Sequence, residues 1–557
     1  MQPESLLSDP LVVPTPSAYD YPLLLKQLLV NALVLNANQE ITFRGDRRFS
    51  YAQFRARIGR LASMLDSLGV SHGTTVAVMD WDSHRYFESY FAIPMMGATL
   101  FTVNVRISPR QIAFTLNDAR PAVLIVNAEF LPLLTQIWNT LAHPPLVIVA
   151  RDGGDDDAAA QVSPPIACEY ESGLSAAIGE FPFQDFDERT RAVLFYTTGT
   201  TGDPKGVAYS HRQVVLHALA TAATLASPRE GQRLHREDVY MPITPMFHVL
   251  AWGMPYVAVM LGLKIVLPGR YAPDVLMRLR QAEGVTFSHC VPTILQMLLD
   301  AVPSGSQALA GWKMIIGGSA LSPNLCRAAL VRGVDVFAGY GMSETGPIVA
   351  LAQFPPGTRP ADIDDNARRR SMAGRPALLV DLRVVDGDMR DVPRDGKTHG
   401  EIVVRAPFLT LGYYGQPDAS EALWAGGYLH TQDVAVMHPD GYVQIVDRIK
   451  DVIKTGGEWV SSIEIEALIN ELPGVQESAV IGVKDERWGE RPMALLVRRP
   501  GFAVTVAEVR EHLLALAEAN RISRYAVPEA TRIIFLEEMP KTSVGKLDKK
   551  RLREWID

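Results

Sequence analysis

The sequence predicts an α/β protein in two unequal parts, a large N-terminal region built on largely parallel sheets and a smaller α+β region behind it. Short apolar runs such as Thr75–Met79, Ala122–Val126 and Leu146–Ala150 alternate with helical stretches, the pattern of strand–helix–strand units. Past Asp447 the texture changes. There Ile465, Leu468, Ile469 and Leu472 share one helical face, Val509, Leu513 and Leu516 share another, and the runs Ser478–Val483 and Met493–Val497 between them read as buried strands. A chain of 557 residues, 47% hydrophobic and 21% charged, is also too long for one core.

Taken in order, Pro22–Asn36 is apolar but interrupted by Lys26, Gln27 and Asn31, and it lies well inside the chain without a basic segment before it. It reads as an amphipathic packing helix rather than a leader. No run reaches the roughly 18–20 apolar residues of a membrane span, so no transmembrane segment is expected. The charged stretches Arg151–Asp157 and Pro355–Arg370 read as exposed loops carrying solvated charge. A net charge of −8 argues against nucleic acid as a partner. The cysteines, Cys168, Cys290 and Cys326, are odd in number and lack metal spacing, which points to reduced thiols and a cytoplasmic location.

Between two apolar runs lies Tyr196-Thr-Thr-Gly-Thr-Thr-Gly-Asp-Pro-Lys-Gly-Val207. Gly199, Gly202 and Gly206 let backbone N–H groups approach an anion, Thr197, Thr198, Thr200 and Thr201 add hydroxyl donors, and Lys205 adds a mobile positive charge. The loop is suited to phosphate. It is not a Walker A loop, because Gly-Lys-Ser/Thr is missing at the required spacing.

Further along come Pro245-Met-Phe-His248, Gly339-Tyr-Gly-Met-Ser-Glu-Thr345, Thr431-Gln-Asp433, Asp447-Arg-Ile-Lys450 and Pro540-Lys-Thr-Ser-Val-Gly-Lys546. With the Thr/Gly loop and in this order, they resemble the ATP-dependent acyl-adenylate-forming enzymes, closest to the bacterial medium- and long-chain fatty acyl-CoA synthetases. The resemblance implies a multilayer N-terminal domain of two α/β sheet subdomains and a small β-barrel-like part. It places that domain at residues 1–447, a hinge at 448–450 and a mobile domain at 451–557. ATP, Mg²⁺ and coenzyme A are the implied cofactors, and a small-molecule carboxylic acid, medium- or long-chain, the substrate.

A carboxylate is a poor acyl donor until it is joined to AMP, and that step crowds anions together. The site therefore needs cations more than acid–base groups. Residue by residue, the resemblance assigns Glu344 and Thr197 to the metal, Gly339, Tyr340, Gly341 and Ser343 to adenine and the α-phosphate, and Gly318 and Ser319 to the base and acyl head. Asp433 and Arg448 become the ribose clamp. Lys546 becomes the lysine that bridges carboxylate and α-phosphate. For the second half-reaction the domain is expected to swing about Lys450 and bring in Lys454, Gly456, Gly457 and Trp459, whose glycines leave room for a pantetheine arm. The resemblance also implies that His248 would lie near the carboxylate and pyrophosphate and that Trp252 would match a tryptophan that gates the acyl tunnel; plain core packing is the alternative for Trp252.

One departure stands out. Gln432 occupies a position where relatives commonly carry glycine; if that backbone has positive φ, glutamine there costs about 1–2 kcal/mol. Three functions remain open: a CoA ligase for a fatty acid or for a short branched, aromatic or sulfur-containing acid, an adenylating ligase that loads a carrier-protein thiol or stops at acyl-AMP, and a ligand sensor without turnover. The resemblance also allows a homodimer without locating its interface.

Overall fold

The computed structural model describes residues 12–152, 164–178, 180–197, 203–456, 458–519, 521–542 and 547–556. Among them the strands form four sheets. The first runs in the order Ile166–Glu169, Leu146–Ala150, Val123–Asn127, Thr75–Met79, Thr99–Thr102, Arg191–Thr197, Lys205–Ser210, parallel throughout except for the last pair. The second is centred on parallel strands Asp335–Gly341, Lys313–Ile316, Phe287–Cys290, Val239–Pro242 and Lys264–Leu267, with antiparallel pairs at its edges. Strands of this kind, covered on both faces, need to be apolar along their whole length, and Thr75–Met79 and Val123–Asn127 are buried at every position.

The third sheet is antiparallel, Asp381–Val385, Gly400–Arg405, Leu429–Met437 and Val443–Arg448, around its own core of Ile402, Val404, Phe408, Leu429 and Val443. It takes the place of the expected barrel-like part. The fourth, beyond it, pairs Val475–Asp485 with Gly489–Arg498 and adds Ile533–Leu536 in parallel. Its two faces alternate as a pleated strand requires. Val480 packs with Ile465, Ile469, Val509 and Leu513, while Ala479 and Ile481 pack with Met493, Met539 and Leu552.

The helix expected near the N-terminal end runs Leu28–Leu35, with Leu28, Leu29 and Ala32 buried. Two expectations are corrected. Within Pro355–Arg370 the chain forms a helix, Ile363–Arg370, capped by Asp362, with Asp364 and Asp365 in its first turn and Arg368, Arg369 and Arg370 in its last. The charges that read as solvation are arranged along the helix dipole, and Arg370 reaches Asp335 at 2.6 Å. In the other stretch, Asp152 is no solvated loop charge, because it pairs with Arg85 at 2.6 Å and Arg44 at 3.0 Å. All three cysteines are free. Among the described residues no helix is long and apolar enough to cross a membrane.

Candidate active site

A cleft of about 2290 Å³ opens where the large α/β region, the third sheet and the C-terminal unit meet. Into it come Thr197, Lys205, His248, Trp252, Gly318 and Ser319 from the α/β region, together with Gly339, Tyr340, Gly341, Ser343 and Glu344. Gln432, Asp433, Arg448 and Lys450 join them from the third sheet and its exit. From the C-terminal unit Lys541, Thr542, Leu547 and Lys549 line it, whereas Lys454, Gly456 and Trp459 do not. Thr198, Gly199, Thr200, Thr201, Gly202, Gly457 and Lys546 lie outside the described residues.

The hairpin that carries the Thr/Gly loop fixes its ends: in the antiparallel register Thr197 faces Lys205 and Tyr196 faces Gly206. Gly206 also has a packing reason to lack a side chain. A Cβ there would stand 2.9 Å from Tyr414, whose N–H donates to the Gly206 carbonyl at 2.8 Å, so the glycine lets a second chain segment pass. That segment supplies Tyr413. Its ring lies under the Lys205 ammonium at 4.5 Å, and its hydroxyl donates to Glu344 Oε1 at 2.8 Å. Burial pushes the Glu344 carboxyl up, while the Tyr413 bond and the charges of Arg448 and Lys205 pull it down. Tyr413 was not among the residues expected from sequence; the signal that marks it is the glycine pair around it in Leu411-Gly-Tyr-Tyr-Gly415.

Asp433 and Arg448 are direct cross-strand partners, with Arg448 Nε 3.3 Å from Asp433 Oδ1. The other oxygen of Asp433 accepts the Tyr340 hydroxyl at 2.8 Å. Tyr340 is therefore a buried brace of the acid as well as a wall of the cleft. Beside it, a Cβ on Gly341 would collide with the Pro347 carbonyl at 1.6 Å, so this glycine is set by backbone approach. Gln432 has φ +59°, the left-handed conformation. Its N–H donates to Glu401 Oε1 at 2.9 Å and its carbonyl accepts from Ile449 N–H at 2.9 Å, bonds that hold the conformation against its cost.

Apolar side chains, Val249, Trp252, Met297 and Ile316 among them, also line the cleft. From Val249 to Trp252 four non-glycine residues have φ of 47°, 55°, 46° and 60°. The Trp252 side chain is buried over His289, ring centroids 4.9 Å apart, and against Gly317, where a Cβ would meet it at 3.0 Å. His289 bonds Tyr240 at 2.8 Å and Thr244 at 3.0 Å, and burial pushes its pKa down to about 3, so a neutral ring supports the indole.

On the C-terminal side, Lys549 Nζ lies 2.7 Å from Glu466 Oε1 and donates to Ser462 Oγ at 2.6 Å; Ser462 Oγ in turn donates to Asp447 Oδ2 at 2.6 Å. This chain of polar contacts seats the unit on the end of the third sheet. Trp459 stands outside the cleft, stacked at 6.2 Å on His399. Burial lowers the Lys450 pKa.

Residues 32–414 match the profile of the AMP-binding enzymes, and residues 464–546 match that of the AMP-binding enzyme C-terminal domain. The chain belongs to the AMP-binding enzyme family. This AMP-binding enzyme is 40% identical to a long-chain-fatty-acid–CoA ligase of Thermus thermophilus over 91% of its length and 90% of the relative's. It is 36% identical to a 3-methylmercaptopropionyl-CoA ligase of Ruegeria pomeroyi over 96% of its length and 97% of the relative's. A medium-chain-fatty-acid–CoA ligase of Ectopseudomonas oleovorans is 34% identical over 91% and 90%. Among solved structures, an anthranilate CoA ligase in complex with anthranoyl-AMP superposes with a TM-score of 0.82 at 26% identity, covering 96% of this AMP-binding enzyme and 98% of that chain.

Proposed function

We propose that this AMP-binding enzyme activates a medium- or long-chain fatty acid with ATP to acyl-AMP, releasing pyrophosphate, and then transfers the acyl group to coenzyme A, releasing AMP. The observation that carries the reading is the 40% identity to the fatty acid ligase across 91% of the chain. The cleft supports it, with a cationic, carboxylate-bearing end and an apolar end joined in one space.

In this reading Lys205 and Lys546 offset the charge of carboxylate and phosphates, Asp433 accepts from the ribose hydroxyls, and Arg448 and Tyr340 hold Asp433 in place. The described residues hold no group of three or more His, Cys, Asp or Glu arranged as a metal cage. A single buried carboxylate such as Glu344 nevertheless fits Mg²⁺, which takes one or two protein carboxylates and draws its remaining oxygens from phosphates and water. Bound there with Thr197 nearby, the ion would supply charge neutralisation; the Tyr413 hydroxyl orients Glu344 for it.

The domain division at 447 and 451, the hinge at Lys450 and the split of labour between Lys546 and the Lys454–Trp459 loop belong to the same proposal. That Lys541, Thr542 and Leu547 line the cleft while Lys454 and Trp459 stand away from it supports an arrangement for the first half-reaction. A homodimer and a cytoplasmic location complete it, the latter supported by three free cysteines.

A second reading has its own support. The 3-methylmercaptopropionyl-CoA ligase aligns over more of the chain, so a short sulfur-containing acid is the competitor. Pyrophosphate release with ATP, Mg²⁺ and coenzyme A, across acids from acetate to palmitate with 3-methylmercaptopropionate included, separates the two. At about 0.8 kcal/mol per buried CH₂ a tunnel selects chain length steeply. A maximum at a medium or long chain supports the first reading, and a maximum at the short sulfur acid replaces it with the second.

A further inference from the structure

The turn that carries Trp252 is imposed from outside. Each non-glycine residue at positive φ resists that conformation, and Val249–Trp252 contains four in succession with no glycine among them. The anchoring is found just upstream. Met246 N–H donates to Asp82 Oδ1 at 2.9 Å, the Met246 carbonyl accepts the Tyr90 hydroxyl, and the Phe247 carbonyl accepts the Thr102 hydroxyl at 3.0 Å. Asp82 follows strand Thr75–Met79 of the first sheet and is 3% exposed. Its second oxygen accepts the Tyr271 hydroxyl at 2.5 Å, and its backbone carbonyl accepts Gly269 N–H at 3.1 Å. Met246 and Tyr271 both follow strands of the second sheet. One buried carboxylate thus ties the two sheets together directly ahead of His248.

We propose that Asp82 is a positioning residue of the reaction: its ionised carboxylate fixes the backbone before His248 and so holds the 249–252 turn, with Trp252, at the acyl end of the cleft. The assignment of that end to the acyl group rests on the function proposed above; the clamp itself does not.

The groups facing Asp82 make its charge state the variable one. Tyr86 and Tyr90 from helix His84–Met95, Tyr240 and Tyr271 are all raised by burial and stay protonated, Arg106 faces Asp82 with opposite charge, and Asp80 is engaged by Arg85 at 3.1 Å. Burial pushes the Asp82 carboxyl up to about 7, against the pull of Tyr271, Met246 and Arg106. Met246 N–H and Tyr271 O–H both donate, so two acceptor oxygens suit them, whereas the protonated acid carries a donor of its own. The clamp is therefore complete above that pKa and loosens as pH falls through it. The folded pKa lies above the ordinary carboxylate value, so ionisation costs the fold stability as pH rises. The carboxylate is held for geometry at the expense of stability, and Asp82→Asn is expected to melt no lower than the parent in alkaline buffer.

The test is a titration of Trp252 emission, taken as the full-length parent minus Trp252→Phe, without any substrate. The parent is expected to show a transition near the Asp82 pKa, Tyr271→Phe to move it to higher pH, and Asp82→Asn to abolish it. A transition unchanged in Asp82→Asn, or none in the parent, overturns the clamp. In pyrophosphate release the KM for the acid should rise at least about threefold from alkaline to mildly acidic buffer while the KM for ATP does not, and Asp82→Asn should remove that rise. An acid KM that responds equally in Asp82→Asn overturns the link to the reaction. A chain inert with every acid overturns the proposed function instead, and the emission titration still decides the clamp.

Discussion

The two ends of the cleft are built on opposite principles. At the nucleotide end, charge and hydroxyl groups stand on strand ends whose register places them: Thr197 opposite Lys205, Asp433 opposite Arg448. At the acyl end, a run of ordinary apolar residues is forced into left-handed backbone and buried. The first end resists change because each group has a partner. The second rests on buried neighbours behind it, Asp82 and His289 among them. On the function proposed above, positions that recognise a common cofactor can be rigid and local, whereas the end that would select among acids rests on a shape stored in the surrounding fold.

The largest effect should come from the lysine assigned to adenylation. Lys546→Ala is expected to lower acyl-AMP formation by about 10²–10³ or more, as loss of a charge-stabilising donor does. Thioester formation from supplied acyl-AMP should be nearly untouched. Pyrophosphate release and coenzyme A thiol consumption measure the two steps, and equal loss in both would refute the division between them.

Next comes the apolar end. Trp252→Ala should cost about 3–5 kcal/mol of stability, seen as a lower thermal midpoint, and shift the preferred acid toward longer chains. An unchanged chain-length profile would show that the indole is core packing alone.

A smaller effect tests the electrostatics. Tyr413→Phe removes a bond that lowers the Glu344 pKa, so that pKa rises further. The acidic limb of adenylation should then move to higher pH, with loss at acidic pH and little change in alkaline buffer. A limb that stays in place would mean that Glu344 is not the titrating group.

The smallest effect is expected at Gln432. Glycine there relieves about 1–2 kcal/mol of backbone cost, but its freedom in the unfolded chain takes back roughly 0.4–1 kcal/mol. Gln432→Gly should raise the thermal midpoint slightly and leave ATP affinity unchanged. A drop in stability would show that the Glu401 bond to residue 432 depends on the glutamine.

The sequence by itself determined the α/β architecture, the separate C-terminal unit and the polar groups of the cleft. Those follow from local rules: buried parallel strands must be apolar, and phosphate chemistry calls for glycines, hydroxyls and lysines in short, ordered strings. It did not show that Gly206 packs against Tyr414, about two hundred residues away in the chain, and it took a dipole-matched helix at Ile363–Arg370 for a loop because its charges hid its capping. The contacts of Tyr413 with Lys205 and Glu344, the left-handed turn at Val249–Trp252 and the Asp82 clamp were decided by tertiary structure alone. A glycine advertises positive φ, but a valine, leucine, alanine or tryptophan in the same conformation carries no mark, since the force that holds it there comes from groups brought together only when the two sheets pack.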